Sequence, residues 1–171
     1  VWGASILRSA LIPILVLGYL GITEWQRRAQ ETANPVFPDF SLPIVSRGAE
    51  KMTRSRYMGR PFLVTFWATW CIPCKKQRET LEPWVKSGPW QAQVLGIATL
   101  DTAAQVVEAE AKSPHPFPSI MDDDGAIAEK MGIQALPYSV IVDKNGRVSR
   151  RFAGPLSAND LQVIQKELGG S

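Results

Sequence analysis

Two periods of hydrophobic spacing alternate along this chain, and each predicts its own kind of element. Residues 61–67, PFLVTFW, are a continuous apolar and β-branched run, which predicts a strand buried on both faces. Residues 93–100, QVLGIATL before Asp101, with Gln93 first, have the same character. Helical spacing lies between them, from about Pro73 to Val85. Asp101 stands where it can cap a helix running to about Lys112. The Pro-rich stretch 113–120 leads into a short extended piece. Asp122, Asp123, Asp124 and Gly125 introduce a short helix ending near Met131 and Gly132. Residues 139–143, an Asn145-Gly146 turn and residues 148–154 read as a hairpin. Ser157 caps a last helix over 158–168. Upstream, residues 39–45 and the stretch around 49–53 predict two short strands parted by Arg47 and Gly48. Residues 58–61 form a turn. The order predicts an α/β domain with a central mixed β-sheet flanked by helices. A βαβ unit makes its first part parallel, and its last two strands are antiparallel.

The amino-terminal pattern is different. Residues 9–22, SALIPILVLGYLGI, carry no charge, and the apolar run extends back through Arg8 to Ile6. As a helix, residues 6–22 span roughly 26 Å, against a hydrocarbon core of about 30 Å. Trp2, Tyr19 and Trp25 sit where interfacial aromatics belong, and Arg8 can reach headgroups. Residues 1–23 therefore read as a single transmembrane anchor or an uncleaved signal. A cleaved signal peptide and a buried helix of a soluble domain are the alternatives. Charge does not orient the span, since Arg8 on one side faces Arg27 and Arg28 on the other. Residues 24–36 are polar, then Pro-punctuated, and read as a linker. The domain is expected over 37–171.

Composition narrows the function. The chain has 171 residues, 45% hydrophobic and 20% charged, enough for one domain with a sizeable core. The net charge of +3 is too small to argue for nucleic acid. Two Cys and one His exclude most metal centres. No cofactor is implied and no internal repeat is present.

The chemistry lies in Cys71-Ile72-Pro73-Cys74, directly after the buried strand and opening a helix. At a helix N-terminus, unpaired N–H groups and the macrodipole favour a negative sulfur. Such settings lower a thiol pKa from about 8.5 to roughly 3.5–7.5. Cys71 is then the nucleophile that attacks a disulfide, and Cys74, one turn along and expected to be buried, resolves the mixed disulfide. Pro73 costs little in the first turn, where its missing N–H has no partner in any case. Zinc binding lacks ligands, haem attachment lacks a His at position 75, and a structural disulfide closes too short a loop to gain much. Cu(I) binding by the two thiols, in a metal-stress protein, is the reading from another functional class.

These residues carry a resemblance. FWATWCIPCKK at 66–76 and GIQALPYSVIVDKNGRV at 132–148 resemble the thioredoxin-like TlpA/ResA/CcmG group, over about 37–168. The resemblance implies the thioredoxin fold and a membrane-anchored, extracytoplasmic thiol–disulfide oxidoreductase; many of the group serve cytochrome c maturation. It implies protein thiols and disulfides as substrates and a transmembrane thiol reductase of the DsbD/CcdA type as electron source. It places the protein in the inner membrane as a single-pass protein, with its domain in the periplasm. Protein-disulfide reduction is the expected direction, with isomerase or oxidase activity as the alternative. Pro137 is expected to be a cis-proline facing the CxxC, with Leu136 pairing to a substrate strand. Trp70 is an expected contact surface, Trp67 a core residue, and Ile72, Pro73 and Gln77 tune the site. Three positions depart from the family pattern. Gln77 stands where a Glu is common, and Thr65 stands where thioredoxin has a buried Asp. Glu79 replaces a frequent Pro. Ala68 lacks the Thr that peroxiredoxin chemistry needs.

Other candidates have plainer readings. His115, between Pro114, Pro116 and Pro118, suggests a base or ligand, but the simpler reading is an exposed loop histidine. Asp122–Asp124 suggest a cation site but serve equally as helix caps. Lys75 and Lys76 either favour the thiolate or are merely solvated.

Overall fold

The computed structural model describes Ile22 and residues 34–169. The expected anchor, the membrane contact of residues 6–22 and most of the linker lie outside these residues. Among the described residues no helix is long and apolar enough to cross a membrane. A compact unit begins at Val36.

Within it, β1 (Ser41–Pro43) and β2 (Lys51–Thr53) form a small antiparallel pair. The main elements follow as β3 (Phe62–Trp67), α1 (Ile72–Lys86), β4 (Val94–Thr99), α2 (Ala103–Lys112), β5 (Ser119–Asp122), α3 (Ala126–Lys130), β6 (Tyr138–Val142), β7 (Val148–Ala153) and α4 (Ala158–Leu168). The five-stranded sheet has the order β5-β4-β3-β6-β7. β3, β4 and β5 pair in parallel; β6 pairs antiparallel with β3 and with β7. This is the mixed sheet the pattern predicts, in a thioredoxin-like arrangement.

All six residues of β3 and all six of β4 are buried, as continuous apolar runs require when helices cover both sheet faces. Phe62, Val64 and Phe66 of β3 join Leu95 and Ile97 of β4 in one core, with Phe37, Phe40 and Tyr57 over them. Leu63 faces the other way, into a cluster with Leu81 and Val85 of α1 and Leu161 and Ile164 of α4. Gly96 is required in β4, because a Cβ there would lie 2.3 Å from Ser119 Oγ.

Several local expectations hold in detail. Ser157 caps α4 with a reciprocal box: its hydroxyl accepts from Asp160 N (3.2 Å) and its own N–H donates to Asp160 Oδ2 (2.8 Å). Asp122 ends β5 and caps α3, accepting from Ile127 N and Ala128 N at 3.1 Å each. Asp124 accepts from Ala126 N at 3.1 Å. Asp122 and Asp124 are thus caps, and the described residues hold no cluster of metal-ligating groups. The hairpin turn differs from a two-residue Asn-Gly loop. Gly146 alone there has a positive φ, 79°, the strand register shifts at Ile141/Val142, and Asp143 Oδ1 accepts from Asn145 N and Arg147 N. Asp143 thereby holds the turn that Asn145 was expected to set.

Asp101 is not the cap of α2. Thr102 is, its hydroxyl accepting from Gln105 N at 3.4 Å. Leu100 takes a left-handed backbone conformation, φ 56°, and Asp101 accepts from Thr102 N with Oδ1 and from Thr69 N of the CxxC loop with Oδ2.

Candidate active site

The C-terminal end of β3 delivers residues 68–71 to the first turn of α1. Cys71 is the N-cap of that helix and Pro73 occupies its first turn. Cys71 and Cys74 are joined in a disulfide, S–S 2.04 Å with Cα atoms 5.2 Å apart. Cys74 N donates to Cys71 Sγ at 3.1 Å, and Cys74 N and Lys75 N also lie on Cys71 O at 3.2 and 3.3 Å. One N-terminal donor of the helix, Cys74 N, thus points at the sulfur that would carry charge once the bond is reduced.

Neither cysteine is open. Cys71 is 2% and Cys74 4% exposed, packed with Trp67, Ala68, Ala98, Val106 and Met121. Burial is expected of Cys74 alone, but Cys71 is buried with it, and the disulfide lies at the floor of an apolar rim. Trp70 (58% exposed), Ile72 (77%) and Leu100 (55%) form exposed apolar surface beside it. Leu136 packs against the cluster that holds both cysteines, and the Leu136–Pro137 peptide is cis.

The rim is held by the loop after β4. Trp70 Nε1 donates to Leu100 O at 2.8 Å, and Thr69 N donates to Asp101 Oδ2 at 2.5 Å. A left-handed Leu costs roughly 1–2 kcal/mol. Here it presents both acceptors to the CxxC loop. Sequence reasoning missed Leu100 and misplaced Asp101, since nothing local marks either residue as a partner of a loop about 30 positions away.

Beneath the disulfide, Gln77 is 4% exposed. Its Nε2 donates to Thr65 Oγ1 at 2.7 Å and its Oε1 accepts from Leu156 N at 3.2 Å. Ser139 Oγ bonds Thr65 Oγ1 at 3.2 Å. Two of the positions that depart from the family pattern, Gln77 and Thr65, thus bond each other. A neutral amide–hydroxyl network stands where the family pattern has a carboxylate.

A cavity of about 310 Å³ opens between α1 and α2, with Cys74 and Trp67 in its wall and Lys75, Arg78 and Lys112 among its lining. Lys75 therefore sits on the disulfide side of α1, whereas Lys76 does not line this cavity.

His115 is not the exposed loop histidine expected. Its side chain is 3% exposed, its Nδ1 is hydrogen-bonded to Glu110 Oε1, and its ring packs on Trp67 and Phe117 at centroid distances of 4.6 and 5.1 Å. Burial pushes the Glu110 carboxyl up. Hydrogen bonds from the His115 ring and backbone N–H, and the charges of His115 and Arg78, outweigh it and leave its pKa below the ordinary value. The pair packs against Trp67, which belongs to the same buried cluster as the two cysteines.

Comparison with known proteins agrees with this geometry. The Redoxin family matches residues 31–168. A thiol:disulfide interchange protein DsbE of Pseudomonas fluorescens biotype C is 30% identical over 119 residues, 69% of this chain and 65% of that protein. The chain thus spans just under two thirds of that relative's length. A thiol-disulfide oxidoreductase ResA of Geobacillus thermodenitrificans is 26% identical over 160 residues, 89% of each chain. Among solved structures, a thiol-disulfide oxidoreductase of Bacteroides fragilis matches with a TM-score of 0.65 at 26% identity, over 78% of this chain and 98% of that one. StoA of Bacillus subtilis shares the fold, with a TM-score of 0.65 at 21% identity over 77% of this chain and 98% of StoA. The redox pair at the head of α1 thus sits in a member of the Redoxin family, akin to the DsbE and ResA thiol–disulfide oxidoreductases.

Proposed function

We propose that this protein is a membrane-tethered reductase of disulfides in extracytoplasmic proteins, including those of cytochrome c maturation. The observation that supports it best is the Cys71–Cys74 pair itself. It sits at the head of a helix, with the Cys74 N–H on the Cys71 sulfur, beside the exposed apolar side chains of Trp70, Ile72 and Leu100. In the reduced enzyme the Cys71 thiolate attacks a substrate disulfide, forming a mixed disulfide and releasing one substrate thiolate. Cys74, as thiolate, then attacks Cys71 Sγ. The second substrate sulfur leaves, and the Cys71–Cys74 bond re-forms. Two electrons and the substrate's two sulfurs are accounted for. Leu136 and Pro137 receive the extended substrate backbone, Trp70 packs against its side chains, and Ile72 and Pro73 set the approach to the sulfurs. Each turnover leaves the enzyme oxidised. A transmembrane thiol reductase of the DsbD/CcdA type supplies the electrons, and residues 6–22 hold the chain in the inner membrane beside it.

Isomerase or oxidase activity is the second reading, favoured by the neutral Gln77–Thr65 network, which puts no carboxylate beside the resolving thiol. The experiment is the equilibrium potential of the Cys71–Cys74 couple together with the pH dependence of Cys71 alkylation. A potential near about −270 mV marks a reductant; one near about −120 mV overturns reduction in favour of oxidation. Native thiols inert to alkylation after chemical reduction would overturn the enzymatic reading altogether.

A further inference from the structure

The end of the domain opposite the disulfide has a chemistry the redox reaction does not use. β3 runs from Phe62 at that end to Trp67 at the disulfide end, about 17 Å at the usual rise. The chain enters the domain at the far end. Val36 bridges Arg147, and Phe37 N donates to Gly146 O at 2.8 Å. The turn at 58–61 joins the same surface, with Gly59 N donating to Lys144 O at 3.1 Å. A Cβ on Gly146 would lie 3.1 Å from the Met58 methyl and 3.4 Å from Arg54 Nη1.

This pole is basic. Residues 54–60 contain Arg54, Arg56 and Arg60 and no acid, and the hairpin turn adds Lys144 and Arg147. The nearby acids are engaged: Asp39 pairs with Arg54 at 3.3 Å, and Asp143 holds the hairpin turn. Arg56 and Lys144 are exposed and have no ion pair among the described residues. Two apolar side chains, Val36 (53% exposed) and Met58 (39%), stand among these cations.

We propose that this pole docks on a bilayer surface rich in anionic lipid headgroups, turning the disulfide away from the membrane. The inference rests on the tethered reading above. It goes beyond it in giving the domain a lipid-binding face and a fixed aspect. Each Lys or Arg within a Debye length of an anionic surface strengthens binding about five-fold. Thirteen residues, 23–35, separate the apolar run from Val36, and fully extended they reach at most about 47 Å. So short a tether keeps the pole at a high effective concentration over the headgroups, where weak attraction suffices. An acidic protein partner lacks that advantage, and single exposed apolar side chains among cations match a headgroup layer better than a rigid acidic surface.

The chain's four methionines supply the test. Full-length protein with ¹³C-methyl methionine is placed in nanodiscs carrying a gadolinium-chelate lipid, either in phosphatidylcholine alone or in an equimolar mixture with phosphatidylglycerol. On the anionic discs the Met58 methyl is expected to broaden several-fold more than Met121 and Met131. The excess disappears on neutral discs, at about 1 M salt, where the screening length is about 3 Å, and in the Arg56→Glu/Lys144→Glu variant. Equal broadening of Met58 and Met121 on anionic discs overturns the proposal, as does an excess insensitive to headgroup charge. Insulin reduction by the same samples reads the oxidoreductase separately. Intact turnover without the Met58 excess sinks the docking face alone. Met58 excess without turnover sinks the enzymatic reading alone. A chain that fails to co-purify with discs overturns the tether and the docking face with it.

Discussion

Replacing Gln77 by Glu puts a carboxylate into the neutral network beneath the redox pair. Gln77 and Cys74 are three residues apart on one buried face of α1, each 4% exposed. Side chains so spaced stand roughly 6 Å apart. At an effective dielectric of about 20, a charge at that distance repels a thiolate by about 3 kcal/mol, or about 2 pKa units. The sign follows directly: a negative neighbour disfavours the thiolate, so the thiol pKa rises. Burial also raises the new carboxyl's pKa, so the effect is full only above the pH at which the introduced carboxyl ionises. Leu156 N and the Thr65 hydroxyl are both placed to bond that carboxylate and help it ionise. The assay is the pH dependence of iodoacetamide alkylation of the reduced enzyme, with thiolate absorbance as a second readout. The expected result is a titration shifted up by about 1–2 units. Gln77→Ala is the control. It removes two buried hydrogen bonds without adding charge, costing about 1–3 kcal/mol of stability with no rise in thiol pKa. A Gln77→Glu variant that folds, yet alkylates with the wild-type profile, would show that position 77 does not reach the sulfurs.

The remaining predictions concern the thiols, the rim and the buried pair. Cys74→Ser is expected to accumulate Cys71 mixed disulfides with substrate, visible by non-reducing electrophoresis, and to lose insulin reduction; unimpaired turnover contradicts the resolving role. Leu100→Gly relieves roughly 1–2 kcal/mol of left-handed strain and loses about 0.5–1 through the unfolded chain. Its urea midpoint should therefore hold or rise while KM for protein disulfides increases. Glu110, whose folded pKa is depressed, stabilises the fold fully above its unfolded value near 4.5, and that stability is lost as pH falls through the folded pKa. Glu110→Gln should flatten the acid limb of a stability–pH profile below about 4.5, and an unchanged limb would mean that the pair is not the group titrating.

Much of the architecture was legible because it is written in local spacing. A run such as PFLVTFW has no polar face, so it can only be a strand covered on both sides. Ser157 and Asp160 stand three apart, and a capping box needs nothing more distant. Polar residues inside buried elements were also a usable signal. Thr65 and Ser139 in the sheet and Gln77 on the inner face of α1 had to find partners, and they found one another. His115 misled because its Pro-rich surroundings look like an exposed loop, while Glu110 and Trp67, which enclose it, are brought there by other elements. Asp101 misled because a helix cap was available one residue later in Thr102.

By itself the sequence determined the sheet and its helices, the placement of Cys71 and Cys74 at the head of a helix, and the class of chemistry. Periodicity, capping and CxxC spacing act over a few residues and are readable without a fold. Only the tertiary structure decided that the disulfide lies nearly buried at the floor of an apolar rim. It alone showed that Leu100 and Asp101 fasten that rim, and that the cations of residues 54–60 gather with Lys144 at the opposite pole. Those facts depend on which distant segments the sheet order brings together, and burial and charge clustering exist only once the chain has closed on itself.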